Sequence, residues 1–322
     1  MAATILYVHG NGNKVRKELL KSRWDHALFG QDMGVASRVA YWAPLRHPVP
    51  LPDHRPEELP AARLLQEFPQ GDGAAAGPEG AHEFIERTLR EAAGQAVTEG
   101  RGGYDDGGRA DAGPAPGETA LAAWLTRMTY AAATLGRDED EDARGAEELL
   151  PLPAVLRVPV FKEVVRRTFV DVHAYFFGGI GPVVRDTVRA ELAEAGDGPL
   201  VVVGHSLGSV VAYEVLREEG RPVSLFVSVG SPLGITEVQD LLARPPAVPA
   251  GVAAWRNVSD LRDVVALDHW LRPEYAPAEL VSDHLVDNRS KSHHGIREYL
   301  ASAPVRVPVR ALFGRVAADR RR

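Results

Sequence analysis

The sequence predicts an α/β protein: a mainly parallel central sheet flanked by helices, with a helical or irregular cap inserted into it. Three observations lead there. Short β-branched apolar runs alternate with segments whose apolar residues recur at helical spacing, most plainly from residue 200 onward. The runs stop on turn-forming Gly, Asn, Ser and Pro clusters such as HGNGN (9–13). Between residues 45 and 195 the alternation lapses and the composition shifts, as expected of an insertion and not of a scaffold.

Residues 4–8 form the first buried strand, ended by HGNGN. Leu19, Leu20, Trp24, Leu28 and Phe29 give 14–30 helical spacing, and SRVAYWAP (37–44) reads as a second strand stopped by Pro44. Twelve of the 31 glycines fall between Gly71 and Gly117, so regular structure is expected there only around HEFIERTLREAA (82–93). A helix follows at 121–135, and the charge run 137–148 reads as a solvated loop. Two more helical patterns cover 160–177 and 182–195. In the first, Phe161, Val165, Phe169 and Val172 line one face, with Glu163, Arg166 and Asp171 opposite. Such a stripe reads first as core-facing, with a lid touching lipid or an acyl chain as the sharper alternative.

After residue 196 the expected order is strand 200–203, helix 207–219, strands 223–230, 252–258 and 279–286, then a helix from Gly295. The expected organisation is a core of 1–44 and 196–305 and a cap of 45–195, flexible around 71–117 and 137–148. A basic tail, 306–322, completes it.

Composition narrows the chemistry. At 322 residues, 45% of them hydrophobic, the chain has enough material for one large core. Its 37 basic and 44 acidic residues leave a net charge of -7, which argues against nucleic acid as a partner. Cysteine is absent, which removes disulfides, zinc-thiolate sites and thiol nucleophiles. The opening MAATILYVHG lacks the basic and apolar regions of a signal peptide, and no apolar run is long enough to span a bilayer, so a cytoplasmic protein is expected. GNGNKV and GGIGPV lack the spacing or context of a dinucleotide fingerprint, and no phosphate-binding lysine loop occurs, so no cofactor is implied. Asp283, His284, Asp287 and the histidine pair His293–His294 lack a recognised metal-ligand spacing, and no metal is expected.

The most informative stretch is VVVGHSLGS (201–209). A buried strand stops on Ser206 and continues as a helix with Val210, Val211, Val215 and Leu216 at helical spacing. That pattern describes a nucleophile elbow, in which a sharp turn presents a hydroxyl at the sheet's carboxyl edge above helix amides. Gly204 and Gly208 flank the turn because side chains there would collide as strand and helix are brought close. A serine hydroxyl needs a base, and the base a carboxylate. The aspartates just after a predicted strand are Asp260, Asp263 and Asp268, and the downstream histidines are His269, His284, His293 and His294.

LYVHGNG (6–12), VVVGHSLGSVVAYE (201–214), SVGSPLG (228–234), NVSDLRDVV (257–265) and HHGIREYL (293–300) occur in this order. Together they resemble the α/β-hydrolases of the esterase and lipase type, over 4–13 and 199–300. The resemblance implies an α/β-hydrolase fold and a chain order of serine, acid, histidine. It favours Asp263, which is followed by apolar Val264, ahead of Asp260, and His294, five residues before Tyr299, ahead of His293. It also implies an oxyanion hole made by the backbone amides of Asn11 and Leu207, and a pocket to which Leu233 and Ile235 contribute. His9 is expected to pin its loop and not to take part in catalysis. Many family members carry two strands before the one ending in HG, so a sheet trimmed at that edge is expected here.

The implied activity is cofactor-independent hydrolysis of a small-molecule acyl ester through an acyl-enzyme, with lipid or membrane-surface contact through the cap as a possibility the stripe raises. A thioesterase or acyltransferase would use the same triad. A noncatalytic module binding an acyl ligand or a protein is the rival from another class, and such modules usually lack a triad member.

Overall fold

Side-chain alternation on the strands decides the architecture of the computed structural model, which describes residues 2–54, 80–99, 116–142 and 154–319. In β1 (Thr4–Val8), Ile5 and Tyr7 point into one apolar cluster while Leu6 and Val8 point into another. Both faces of the sheet are therefore buried, as a parallel sheet requires. Helix α1 (Lys17–Phe29) follows and ends on Gly30, whose φ of 81° closes the last turn in the left-handed region. Strand β2 (Ser37–Ala40) then pairs parallel to β1.

Three helices precede the next strands: α2 (Ala81–Glu99), α3 (Pro116–Asp142) and α4 (Ala154–Phe177). Helix α5 (Gly181–Ala193) leads into β3 (Leu200–His205), α6 (Leu207–Glu219) and β4 (Leu225–Val229). The short α7 (Thr236–Gln239), β5 (Trp255–Ser259), β6 (Val281–Leu285), α8 (Ile296–Ala301) and α9 (Ala303–Asp319) complete the order. Among the described residues six strands lie in the order β2-β1-β3-β4-β5-β6, and every pairing is parallel. The protein is thus of the α/β class, a parallel sheet flanked by helices.

Residues of α1, α8 and α9 pack with Ile5, Tyr7, Val201 and Val203 on one face. Residues of α2 to α6 pack with Leu6, Val8 and Val202 on the other. Among the described residues no helix is long and apolar enough to cross a membrane.

Three elements differ from the sequence expectation. Helix α3 runs on through 137–142, since a run of charged residues does not by itself break a helix already formed. Residues 306–319, expected as tail, belong to α9, whose Val305 and Val309 are buried against the α1 face. Helix α2 extends past Ala93 to Glu99. The flexibility expected at 71–79, 100–115 and 143–148 falls outside the described residues, as does the end of the tail, 320–322.

The stripe on α4 is core. Phe161, Val165, Phe169 and Val172 are all buried in the cluster that also holds Leu207. Its opposite face is polar but not fully solvated, since Glu163 and Asp171 are buried as well.

Candidate active site

Strand β3 ends at His205 and α6 begins at Leu207, so the chain reverses direction on Ser206, at φ 53° and ψ -131°. Among the described residues only Ser206 and His293 adopt positive φ without being glycine. Such a conformation costs on the order of 1–3 kcal/mol and persists only where the surroundings enforce it. Here they do. The Ser206 amide donates to the Val229 carbonyl at 3.1 Å, and the Ser206 carbonyl accepts from the Ser209 amide at 2.9 Å.

The flanking glycines are steric necessities. A Cβ on Gly204 would come within 2.5 Å of Ser209 Cα, and one on Gly208 within 2.3 Å of the Val8 carbonyl oxygen. Ser206 itself is fully buried, and its Oγ has no hydrogen-bond partner.

His294 and Asp263 meet across 31 residues of chain. His294 Nδ1 lies 2.9 Å from Asp263 Oδ1 and 2.8 Å from Oδ2. The carboxylate is fixed from behind by the Val265 amide at 3.0 Å and the Tyr299 hydroxyl at 2.7 Å. Burial and the adjacent Asp263 charge push the Tyr299 phenol well above its ordinary pKa, so it remains a donor. A proton on Nδ1 facing the carboxylate leaves Nε2 with its lone pair, and this Nε2 is also buried without a partner. His205 Nε2 donates to the His294 carbonyl at 2.9 Å, and the two rings are 4.6 Å apart. Burial, reinforced by neighbouring His294, holds the His205 pKa well below the ordinary value and keeps its ring neutral.

Gly230 joins the two halves of the site. It follows Val229, which accepts from Ser206, and a Cβ on it would lie 2.9 Å from both Asp263 Oδ2 and His294 Nδ1. Neither Ser206 Oγ nor His294 Nε2 has a hydrogen-bond partner, so no hydrogen bond joins the two atoms.

The other candidates are engaged elsewhere. His293, at φ 54°, donates from Nδ1 to the Asn288 carbonyl at 2.9 Å. Asp260 accepts from the amides of Arg262 at 2.8 Å and Asn288 at 2.5 Å and so ties the histidine loop to β5. His269 Nδ1 is 3.0 Å from Ser259 Oγ, and His284 lies on β6 beside Arg256. Asp283 accepts from the amides of Leu271 and Arg272, each at 3.0 Å.

The loop after β1 lies against the elbow. A Cβ on Gly10 would stand 2.7 Å from Ser206 Cβ and 2.8 Å from the His205 carbonyl oxygen. The amide of Leu207, first in its helix, has no carbonyl a turn before it to bond. Asn11 follows Gly10 on the adjoining loop. Leu233 and Ile235 are buried in the cluster shared with the cap, around a short turn that Ser231 caps by accepting from the Leu233 amide at 3.2 Å. Sequence reasoning missed Tyr299 as the support of Asp263 and His205 as the support of His294. The local signals were the place of His205 next to Ser206 and of Tyr299 five residues after His294.

His9 holds the β1 loop to the second strand's exit. Its Nδ1 donates to the Gly10 carbonyl at 2.7 Å, and its Nε2 accepts from the amides of Trp42 at 3.1 Å and Ala43 at 3.2 Å. Burial, with Lys14 nearby, lowers its pKa from 6.5 to about 3. The unfolded chain protonates His9 below its ordinary value while the folded protein keeps it neutral. Its contribution to stability is therefore complete above 6.5 and declines as the pH falls towards 3. Urea titrations are expected to show a lower midpoint at about pH 5 than at about pH 7.5, with the difference narrowed in His9→Asn. Equal midpoints for the wild type would contradict the assignment of a neutral, buried ring.

Comparison of the chain with models of known protein families, with curated proteins and with solved structures finds no match in any of the three.

Proposed function

We propose that the chain is a serine hydrolase of carboxylic esters, built on the α/β-hydrolase plan. In this reading the Ser206 oxygen attacks the ester carbonyl carbon while its proton passes to His294 Nε2. Asp263 steadies the imidazolium, and the amides of Asn11 and Leu207 hold the oxygen on which negative charge collects. The bond to the alcohol oxygen then breaks, and His294 returns the proton to it. Water attacks the acyl carbon next and gives its proton to His294. The Ser206 oxygen departs, takes that proton back and frees the acid. Leu233 and Ile235 would border the acyl side.

One observation carries the reading. A buried, unpartnered hydroxyl stands at a left-handed strand-to-helix turn, in the same site as an unpartnered imidazole nitrogen whose ring is anchored by a carboxylate. The strand order also supports the plan, since β1 and β3 are neighbours and their carboxyl ends bring loop and elbow together. Ser206 has no exposed surface, so a substrate must displace the residues that cover it to reach it.

The test is covalent labelling. A fluorophosphonate is expected to modify the wild type at Ser206, located by peptide mass, and to leave folded Ser206→Ala unmodified. Equal labelling of both, or none of a folded wild type, would overturn the proposal. Rates on p-nitrophenyl esters and on acyl thioesters then define the acyl donor.

A further inference from the structure

The loop that carries Asn11 is intrinsically loose. Gly10 and Gly12 flank it, Gly12 at φ 75°, and glycine restrains a backbone least. Yet a donor for a developing oxyanion has to be placed within a few tenths of an ångström. The restraint comes from the cap. Gly12 N donates to Asp171 Oδ2 at 2.6 Å, and Asn11 Nδ2 donates to Thr168 Oγ1 at 3.0 Å. Thr168 and Asp171 are one turn apart on α4, so they present adjacent side chains to the loop.

From the other side, Lys14 Nζ donates to the Asn11 carbonyl and lies 3.3 Å from that of Gly12. The peptide unit between Asn11 and Gly12 is thereby clamped at both ends, its N–H by Asp171 and its C=O by Lys14. Asp171 is itself held by Arg46, the two side chains each 7% exposed, and Arg46 also bonds Gln95 on α2. This is more charge than a core-packing helix needs on its buried side, and it converges on the loop beside Ser206.

We propose that Asp171, assisted by Thr168, is a positioning residue that sets the Asn11 amide for the oxyanion, so that cap helix α4 is part of the catalytic machinery. The inference rests on the serine hydrolase reading and adds the cap's role to it. A donor that acts on the tetrahedral state changes kcat and leaves ground-state binding alone. A boronic acid reports the same geometry. The Ser206 oxygen bonds to boron, its proton passes to His294, and the tetrahedral anion places one oxygen in the hole.

The experiment compares wild type, Asp171→Asn and Thr168→Val by steady-state hydrolysis of a p-nitrophenyl ester and by inhibition with a boronic acid. In Asp171→Asn, kcat is expected to fall about 10- to 100-fold and boronic acid affinity by a similar factor, with KM steady. Thr168→Val, which removes only the Asn11 side-chain bond, is expected to show the same pattern at roughly 3- to 10-fold, and it carries the test should Asp171→Asn not fold. Any other pattern in a folded variant overturns the proposal, whether kcat unchanged, KM rising with it, or boronic acid affinity unmoved. A wild type that labels at Ser206 beside an unchanged variant defeats the clamp alone; a wild type that does not label defeats both readings.

Discussion

Ser206→Ala and His294→Ala are each expected to lower kcat for a p-nitrophenyl ester by about 10⁴- to 10⁶-fold, and the double variant to lose no more than the worse single one. The physical reason is that, in the proposed mechanism, the two side chains act as one device. Without Nε2 as base the hydroxyl keeps its proton and is a weak nucleophile; without the hydroxyl, the base has nothing to activate. The residual rate in all three proteins would come from the backbone amides and from binding. His293→Ala is the control, because its ring bonds the Asn288 carbonyl, whereas His294 bonds Asp263. It is expected to stay within about tenfold of wild-type turnover while losing some stability, since the left-handed backbone there suits alanine poorly. Additive losses in the double variant would break the idea of a shared device, and a dead His293→Ala beside an active His294→Ala would move the base one residue.

Asp263→Asn is expected to cost about 10⁴-fold in kcat at neutral pH, whereas Asp260→Asn acts on stability. Asp263 offers acceptors on both oxygens: Oδ1 to Val265 and His294, Oδ2 to Tyr299 and His294. An amide has one acceptor only. Either its NH₂ faces His294, driving the ring proton to Nε2 and removing the base, or it faces the Tyr299 hydroxyl and loses that support. Asp260 has other work: its buried carboxylate ties Arg262 and Asn288 and so holds the histidine loop. Losing those bonds is expected to lower unfolding stability by roughly 1–3 kcal/mol, read from urea midpoints, with turnover within about tenfold. An active Asp263→Asn, or an inactive but stable Asp260→Asn, would reverse the assignment.

Local chemistry is legible in the chain before any coordinates. The elbow could be read because its causes lie within a few residues: a β-branched strand, a turn, and glycines at 204 and 208 where a Cβ would strike backbone. The order of strands and helices after residue 196 was legible for the same reason, since period and turn chemistry are short-range properties. Even there the ends shifted, and earlier in the chain residues 137–142, read as a solvated loop, joined a helix.

Long-range partnership was not legible to the same degree. Three aspartates and four histidines satisfied the same chain order, and only loop paths from β5 and β6 set Asp263, and not Asp260, against His294. Choosing between His293 and His294 depended on a backbone twist at φ 54° that no local residue preference announces. The polar side of α4 makes the point most sharply. Periodicity says which side chains share a face, but whether that face meets water or the loop after β1 depends on what the rest of the chain packs there. The sequence places Asp171 only on the face opposite the apolar stripe; in the fold it is buried between Arg46 and the amide of Gly12.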